Sequence, residues 1–459
     1  MDLQRVEKQG AQVILQYAIP SIIAMVLTSM INIVDGYFIG NYVGTEGLAA
    51  VNLGLPIVYL YLAIGLMIAV GGIAIAGRKL GANEIEQANQ VFRQTITICV
   101  VVTVALTVIM MFLLAPISQL FRADALTQRY FCSYYGILIW ELPLMVVTSA
   151  FGMFIRGEGN PVFVMITNII SILINTILDY VFAGPMNLGV AGVAWASFIS
   201  AAAVLGLNVL YVWRKAKIFH FGKFKYQRAV SKEMFLNGSS EFIGEFSMCL
   251  SMAAYNYVIL KSAGVDGVAA FTIIGYVSYV FSMIIIGFGQ GIVPIISFAY
   301  GAEHFALSRH VRSLTMRMVI GVAVAVFVVM SLVAGWYCGF FTAQKNIEQM
   351  VIPGLRIQMS SFAFAGVNSI ASFYFTSIGK AKESAVISAS RGLVVLLIAI
   401  FVLPMIFGIT GVWMVSLVTE LVTMVFTLVF MKKDRTDEHR CFNSRRQSYG
   451  LCSGENEWI

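Results

Sequence analysis

Apolar residues run along this chain in blocks of about 20, long enough to cross ~30 Å of hydrocarbon as helix. The blocks fall near 13–35, 49–76, 94–115, 134–155, 162–183, 189–213, 235–260, 268–298, 314–335, 352–376, 384–405 and 409–431. Twelve helical crossings are therefore predicted. Barrel strands would instead alternate polar and apolar positions over about ten residues. The first block carries Gln16, Tyr17 and Pro20, lacks a small-residue cleavage pattern and leads straight into further blocks, so it reads as a crossing and not as a signal peptide.

Polar residues inside the blocks are not scattered. In the first, Ser21, Thr28, Asn32 and Asp35 are spaced by 7, 4 and 3 residues and share one helical face. Pro20 removes an intrahelical hydrogen bond and favours a bend on that helix. In the fifth, Asn168, Ser171, Asn175 and Asp179 follow at intervals of 3, 4 and 4. Such a stripe would be costly against lipid, so it faces other helices or water; Ser197 and Ser200 offer hydroxyls on the sixth helix. The amides and hydroxyls also suit plain interhelical bonding, and each aspartate could sit at the outer interface. An aspartate at mid-membrane costs ~2.5–3.5 kcal/mol. Two at corresponding depths on neighbouring helices point to a shared ion site.

The second half of the chain has a different set of charges. Glu241 and Glu245 are four residues apart, on one face of the seventh helix and in unfavourable proximity if both ionise; solvation at the headgroups is the plainer alternative. Asn368 lies on the tenth helix. Glu420, in VSLVTELVTMVF, has no polar flank, and Arg391, in SASRGLVVL, is its expected partner in a structural salt bridge. Glu141, next to Trp140, reads as interfacial. The run GFGQG, with Gly287, Gly289 and Gly291, follows no strand and precedes no Gly-Lys-Ser, so it reads as close helix packing or a gate and not as a phosphate cradle.

Composition narrows the class. Of 459 residues, 59% are hydrophobic and 12% charged, about half the charge of a soluble domain. The six cysteines are scattered singly and the four histidines fall in loops or the tail, so neither a disulfide framework nor a metal site is expected. No nucleophile with its base and no ATPase motif is visible. The expectation is a non-enzyme without cofactor, in which any transport is driven by an ion gradient or a partner. With both termini placed in the cytoplasm, 25 of the 30 Lys and Arg fall on that side, Arg122, Arg129, Lys261 and Lys345 outside, and Arg356 is ambiguous. That asymmetry is the positive-inside pattern of an inner (cytoplasmic) membrane protein, and it makes the net charge of +7 a matter of topology, not of nucleic-acid binding.

A shift of 220 residues aligns Tyr37 with Tyr257, Gly44 with Gly264, Gly47 with Gly267, Gly71 with Gly291, and Gly81-Ala82 with Gly301-Ala302; Gly159 meets Gly379, and a one-residue slip brings Gly192-Val193 onto Gly411-Val412. The chain is thus a duplication. With six crossings per copy the two copies are parallel, related by an axis along the membrane normal. The expected organisation is a first six-helix lobe at 1–213, a cytoplasmic linker at 214–233, a second lobe at 234–432 and a polar cytoplasmic tail at 433–459.

With these features, the chain resembles the multidrug and toxic compound extrusion (MATE) family of the MOP flippase superfamily. IPSIIAMVLTSMINIVDGYFIGNYVGTEGLAA (19–50), GEGNP (157–161), NIISILINTILDY (168–180) and GQGIVPIISFAYGA (289–302) carry the resemblance, which extends over 10–432. It implies an all-α fold of twelve transmembrane helices in two six-helix repeats, and alternating-access antiport of lipophilic organic cations against protons or sodium. It also implies that Asp35, Asn175 and Asp179 form a first-lobe cation site with Ser197 or Ser200, and that Glu241 matches a second-lobe carboxylate. Near Asn368 the family pattern would have an acid, which leaves Glu241, with Glu245, Asn32 and Asn368, as candidates to meet cationic substrate in the cavity. Abundant Phe, Tyr and Met (33, 19 and 23) suit flat lipophilic cations. The chain is expected to act as a monomer in the bilayer. The alternatives are a flippase for a lipid-linked substrate, which would need several basic cavity residues, and a non-transporting membrane sensor.

Overall fold

The computed structural model describes residues 3–120, 124–342 and 344–450, with side chains described up to 436 and not at 120. Arg122 and the basic tail from 437 onward, both part of the charge count, lie outside what is described of side chains. Among the described residues the secondary structure is helical, without a strand.

Ten helices are long and apolar enough to span a membrane. Two of them are too long for a single crossing. Arg228–Gly301 has 74 residues and Ala381–Thr436 has 56, and 74 residues of straight helix would reach ~110 Å. Each turns back at one glycine, Gly264 at φ 63° and ψ −154°, and Gly408 at φ 59° and ψ −140°. Only glycine adopts that backbone without strain. Twelve crossings result. We label them α1 (Gly10–Tyr42), α2 (Thr45–Gly81, interrupted at Gly54), α3 (Ile85–Leu120), α4 (Ala125–Gly157), α5 (Pro161–Ala183), α6 (Gly189–Arg214), α7 (228–263), α8 (265–301), α9 (Phe305–Phe341), α10 (Lys345–Ser377), α11 (381–407) and α12 (409–436).

Local chemistry sets several ends. Asp124 caps α4, accepting from the Thr127 amide at 3.0 Å and its hydroxyl at 2.6 Å; those bonds hold its carboxyl below the usual range. Asn160 caps α5 with Pro161 in the first turn, where the missing N–H is harmless. Large side chains such as Leu332 and Met405 are 81% and 87% exposed, an arrangement stable only where hydrocarbon replaces water. Arg356 falls inside α10, where Nη2 donates to the Ser331 carbonyl at 3.4 Å.

Because the number of crossings is even, the start of α1 and the end of α12 lie on one face, the face carrying the termini. There the two halves meet through glycines. A methyl at Gly81 would sit 2.0 Å from the Phe298 carbonyl oxygen, and one at Gly301 2.0 Å from that of Arg78. The 220-residue shift carries Gly81 to Gly301 and Arg78 to Phe298, so these contacts are images of one another and the twofold axis of the duplication passes between α2 and α8. On α7, Gly238 and Met234 meet Met67 and Gly71 of α2 in the same reciprocal way, at 1.8 and 2.1 Å for the added methyls. Gly287 and Gly291 of α8 lie against Ile22 and Ala18 of α1, and Gly289 against the Phe373 ring; GFGQG is a packing surface beside the Pro20 segment. Arg78 binds Glu233 at 2.7 Å and the buried Arg156 donates to Gln290 at 2.8 Å across the same seam.

The segment between α6 and α7 is strapped down. Glu158 accepts the amides of Ile218 and Phe219 at 2.8 and 2.7 Å. Asn89 receives from His220 N and donates to Ile218 O, Arg93 donates to the carbonyls of His220 and Lys223, and Gln94 bonds Gln227 through both N and O. The buried Phe219 packs on Phe92 and Phe154. At the same face in the second half, Asp434 accepts from Tyr374 Oη and Lys380 Nζ, both at 2.8 Å, with Arg312 at 3.6 Å stacked over the Tyr374 ring.

Candidate functional site

The buried face of α5 runs Val164, Thr167, Ser171, Asn175, Asp179, Ala183, at three- and four-residue steps. Helical periodicity alone thus delivers its polar stripe to α1 and α6. Asn175 and Asp179 are 0% exposed and Asp35 7%. Asn175 Nδ2 donates to Asp35 Oδ1 at 3.1 Å and to Ser197 Oγ at 3.3 Å, and Ser197 Oγ donates to Asp35 Oδ2 at 3.1 Å. Asp179 faces the Asp35 carboxylate. Neither Asp179 oxygen, nor Asn175 Oδ1, receives a hydrogen bond.

Three buried acceptor oxygens without a donor, beside a second carboxylate, form a strongly anionic pocket inside apolar surroundings. Such a pocket is unfavourable until a cation enters it. A proton shared between the carboxylates would meet that need, and so would a small oxygen-seeking cation held by Asp35, Asp179 and Asn175 Oδ1.

The remaining residues of the stripes fall elsewhere. Ser200 lies one turn along α6 and donates to the Ser197 carbonyl at 2.9 Å, not to either acid. Ser21 is buried and donates to Tyr17 O. Thr28 reaches Asn168 at 3.5 Å, and Asn32 is exposed. Glu141, read from its neighbour Trp140 as interfacial, is buried at 8% while Trp140 is 48% exposed. Adjacent helical residues point about 100° apart, so the two occupy different faces, and Glu141 turns inward, within electrostatic range of Asp35. Tyr134, 4% exposed, lies close enough to Asp35, Glu141 and Asp179 to feel all three charges. Tyr134, Leu138 and Glu141 share one face of α4, a spacing visible in the sequence.

In the second half, Glu241 and Glu245 are half-buried on α7. Glu241 has Ser240, Glu245 and Arg391 as neighbours. Glu245 and Cys249 approach Tyr59 of α2, with Tyr279 of α8, so this group joins the two halves. Asn368 is fully buried and does not face this group: its Nδ2 donates to Glu420 Oε2 at 2.8 Å and its Oδ1 accepts from Thr427 at 2.8 Å. Arg391 binds Glu420 at 2.7 Å.

A helical membrane protein of twelve crossings in two parallel repeats, with a buried acid pair in the first, is the class defined by fold and site. The MatE family pattern matches residues 20–181 and 242–403, once in each half, and the chain belongs to that family. It is similar to the multidrug export protein MepA of Staphylococcus haemolyticus (strain JCSC1435), 25% identical over 411 residues that cover 89% of this chain and 90% of that protein. It is also similar to MepA of Staphylococcus aureus (strain MSSA476), 23% identical over 428 residues, covering 92% and 94%. Among solved structures, the fold matches the outward-facing conformation of a multidrug resistance MATE family transporter of the MOP superfamily (TM-score 0.87, 21% identity, 92% of this chain and 96% of that one). It matches equally a MATE crystal structure in the straight conformation (TM-score 0.87, 23% identity, covering 92% and 96%).

Proposed function

We propose that this chain is a multidrug efflux antiporter of the inner membrane, with both termini cytoplasmic, exporting lipophilic organic cations in exchange for protons or sodium. The observation that carries the coupling is the orphaned oxygen set of Asp179 and Asn175 beside Asp35. A site that is unfavourable when empty and reachable from one side at a time is what an exchange cycle requires. The glycine seam lies at the face carrying the termini, which in the proposed topology is the cytoplasmic one.

In the proposed cycle an external cation binds between Asp35 and Asp179 and offsets one of their two charges, α1 and α5 repack around it, and bound drug leaves. The halves then rock apart at the glycine seam, the cation escapes to the cytoplasm, and drug rebinds. Glu241 and Glu245, with Tyr59 and Tyr279 beside them, supply negative charge and aromatic faces for a cationic substrate. One proton exchanged for one monovalent cation is electroneutral, so the driving force is ~1.4 kcal/mol per pH unit, tenfold in gradient. A neutral substrate would add ~2.3 kcal/mol per 100 mV.

The test is ethidium efflux from vesicles under imposed pH or sodium gradients, comparing wild type with Asp35→Asn and Asp179→Asn. Wild-type efflux should follow one gradient and fall to background in both variants while the protein stays inserted. Normal pumping by either variant would remove that acid from the coupling site.

A further inference from the structure

The duplication allows the acid site to be compared with its counterpart. The 220-residue shift places Tyr255 at the position of Asp35 and Arg391 at that of Ser171; the 219-residue register of the last helix places Ser416 and Thr419 at Ser197 and Ser200, with Glu420 adjoining. In either register, the place of Asp179 falls to an apolar residue, Ile398 or Ala399. The second half has therefore exchanged two acids for one acid and one fixed base.

The hydrogen bonding differs accordingly. Arg391 Nη2 and Nε donate to Glu420 Oε1 at 2.7 and 3.2 Å, Asn368 Nδ2 donates to Oε2 at 2.8 Å, and Arg391 Nη1 donates to Ser369 Oγ. Both Glu420 oxygens are satisfied, whereas both Asp179 oxygens are orphaned. Arg391 is also set apart by its backbone. It sits in a single π-helical turn, Ser390–Val394, a local insertion of the kind found mostly at functional positions. Its side chain is 27% exposed, while that of Glu420 is 8% exposed.

We propose that Arg391, seven or eight residues along the chain from the equivalents of Asp179, is a tethered cation: in the second half it holds the charge of Glu420 as an exchangeable cation holds the acids of the first half. The chain then has a single exchangeable site. Removing the guanidinium uncovers a second anionic pocket, formed by Glu420, Asn368 and Ser369, that binds a free guanidinium-class cation. The comparison rests on the first-half site taking a cation; the pocket itself does not.

The experiment uses the full chain in detergent and in vesicles, with methylguanidinium chloride at concentrations too low to denature. Arg391→Ala should unfold at lower temperature than wild type and regain much of the loss with methylguanidinium, but not with equal tetramethylammonium, which cannot donate hydrogen bonds. Wild type should not respond. The double variant Arg391→Ala/Glu420→Gln should fold without the additive and ignore it. Stable Arg391→Ala that does not respond overturns the proposal, as does a double variant that responds like the single one. If Arg391→Ala does not accumulate, folding and efflux by the double variant support the proposal, and its failure overturns it. The stability readout needs no gradient, and Asp35→Asn added to Arg391→Ala should leave the response to methylguanidinium unchanged, so failure of the antiport reading and of this one are separable.

Discussion

Gly238→Ala should shift the transport cycle without touching any ion or drug. The added methyl would lie 1.8 Å from the Met67 carbonyl oxygen, and real contacts of this kind are essentially never below 3.0 Å. The α2 and α7 backbones must part by about 1.2 Å, and by more to reach ordinary contact, which breaks the reciprocal Gly71–Met234 fit as well. Overpacking of this kind costs ~1–3 kcal/mol. In the proposed cycle the seam parts when the face carrying the termini opens, so the cost falls on the closed state. At ~2 kcal/mol the population moves roughly 30-fold toward the state open at that face. Spin labels at Gln87 and Ala306, both exposed there on opposite halves, should report the change as a grown long-distance population. Gly244→Ala, on the same helix with nothing within 4 Å, should change nothing. An unaltered distance distribution in folded Gly238→Ala would refute the reasoning, since the methyl would then have been absorbed inside the closed seam.

Further substitutions separate the roles of other residues. Ser200→Ala should leave ethidium efflux within a factor of about two, because its hydroxyl only returns to its own helix, whereas Ser197→Ala should alter the cation dependence of efflux. Gly264→Ala should lower the unfolding temperature through ~1–3 kcal/mol of backbone strain, read by scanning fluorimetry, although the space around it is open. Asp434→Asn should destabilise by several kcal/mol, since it leaves Arg312 and Lys380 without their shared carboxylate. Glu158→Ala should speed amide exchange at residues 218 and 219 at least about tenfold, each bond to a charged group contributing ~1.5–3 kcal/mol.

Much of this architecture is legible in the chain because the bilayer leaves few options: apolar blocks of spanning length must be helices, and Asn or Asp repeating at helical intervals within one must face inward. The α5 stripe and its meeting with Asp35 were readable for that reason, and Arg391 with Glu420 because an isolated buried charge needs its opposite. Glu141 was hidden because a single acid next to an exposed tryptophan has two plausible faces, and sequence does not choose between them. Ser200 and Ser197 are chemically alike and one turn apart; only the pitch and rotation of α6 against α1 decide which reaches the carboxylate. Asn368, read as a cavity residue, is committed to Glu420 and Thr427, a pairing between helices that no local pattern announces. The polar groups at 89–94 carry no local signal of their role, since bonds from side chains to a distant backbone depend on the path of the chain.

That path has a consequence for building hybrids. Among the described residues, the side chains that hydrogen-bond the backbone of 218–227 belong to the first half: Asn89, Gln90, Arg93, Gln94 and Glu158. The segment behaves as a rim of the first half and not as slack between two bodies, and Gln94 carries the attachment on to Ser231 at the start of α7. A chimaera spliced at 213–214 would graft a foreign strip onto anchors shaped for another; one spliced after Gln227 would carry lock and key together.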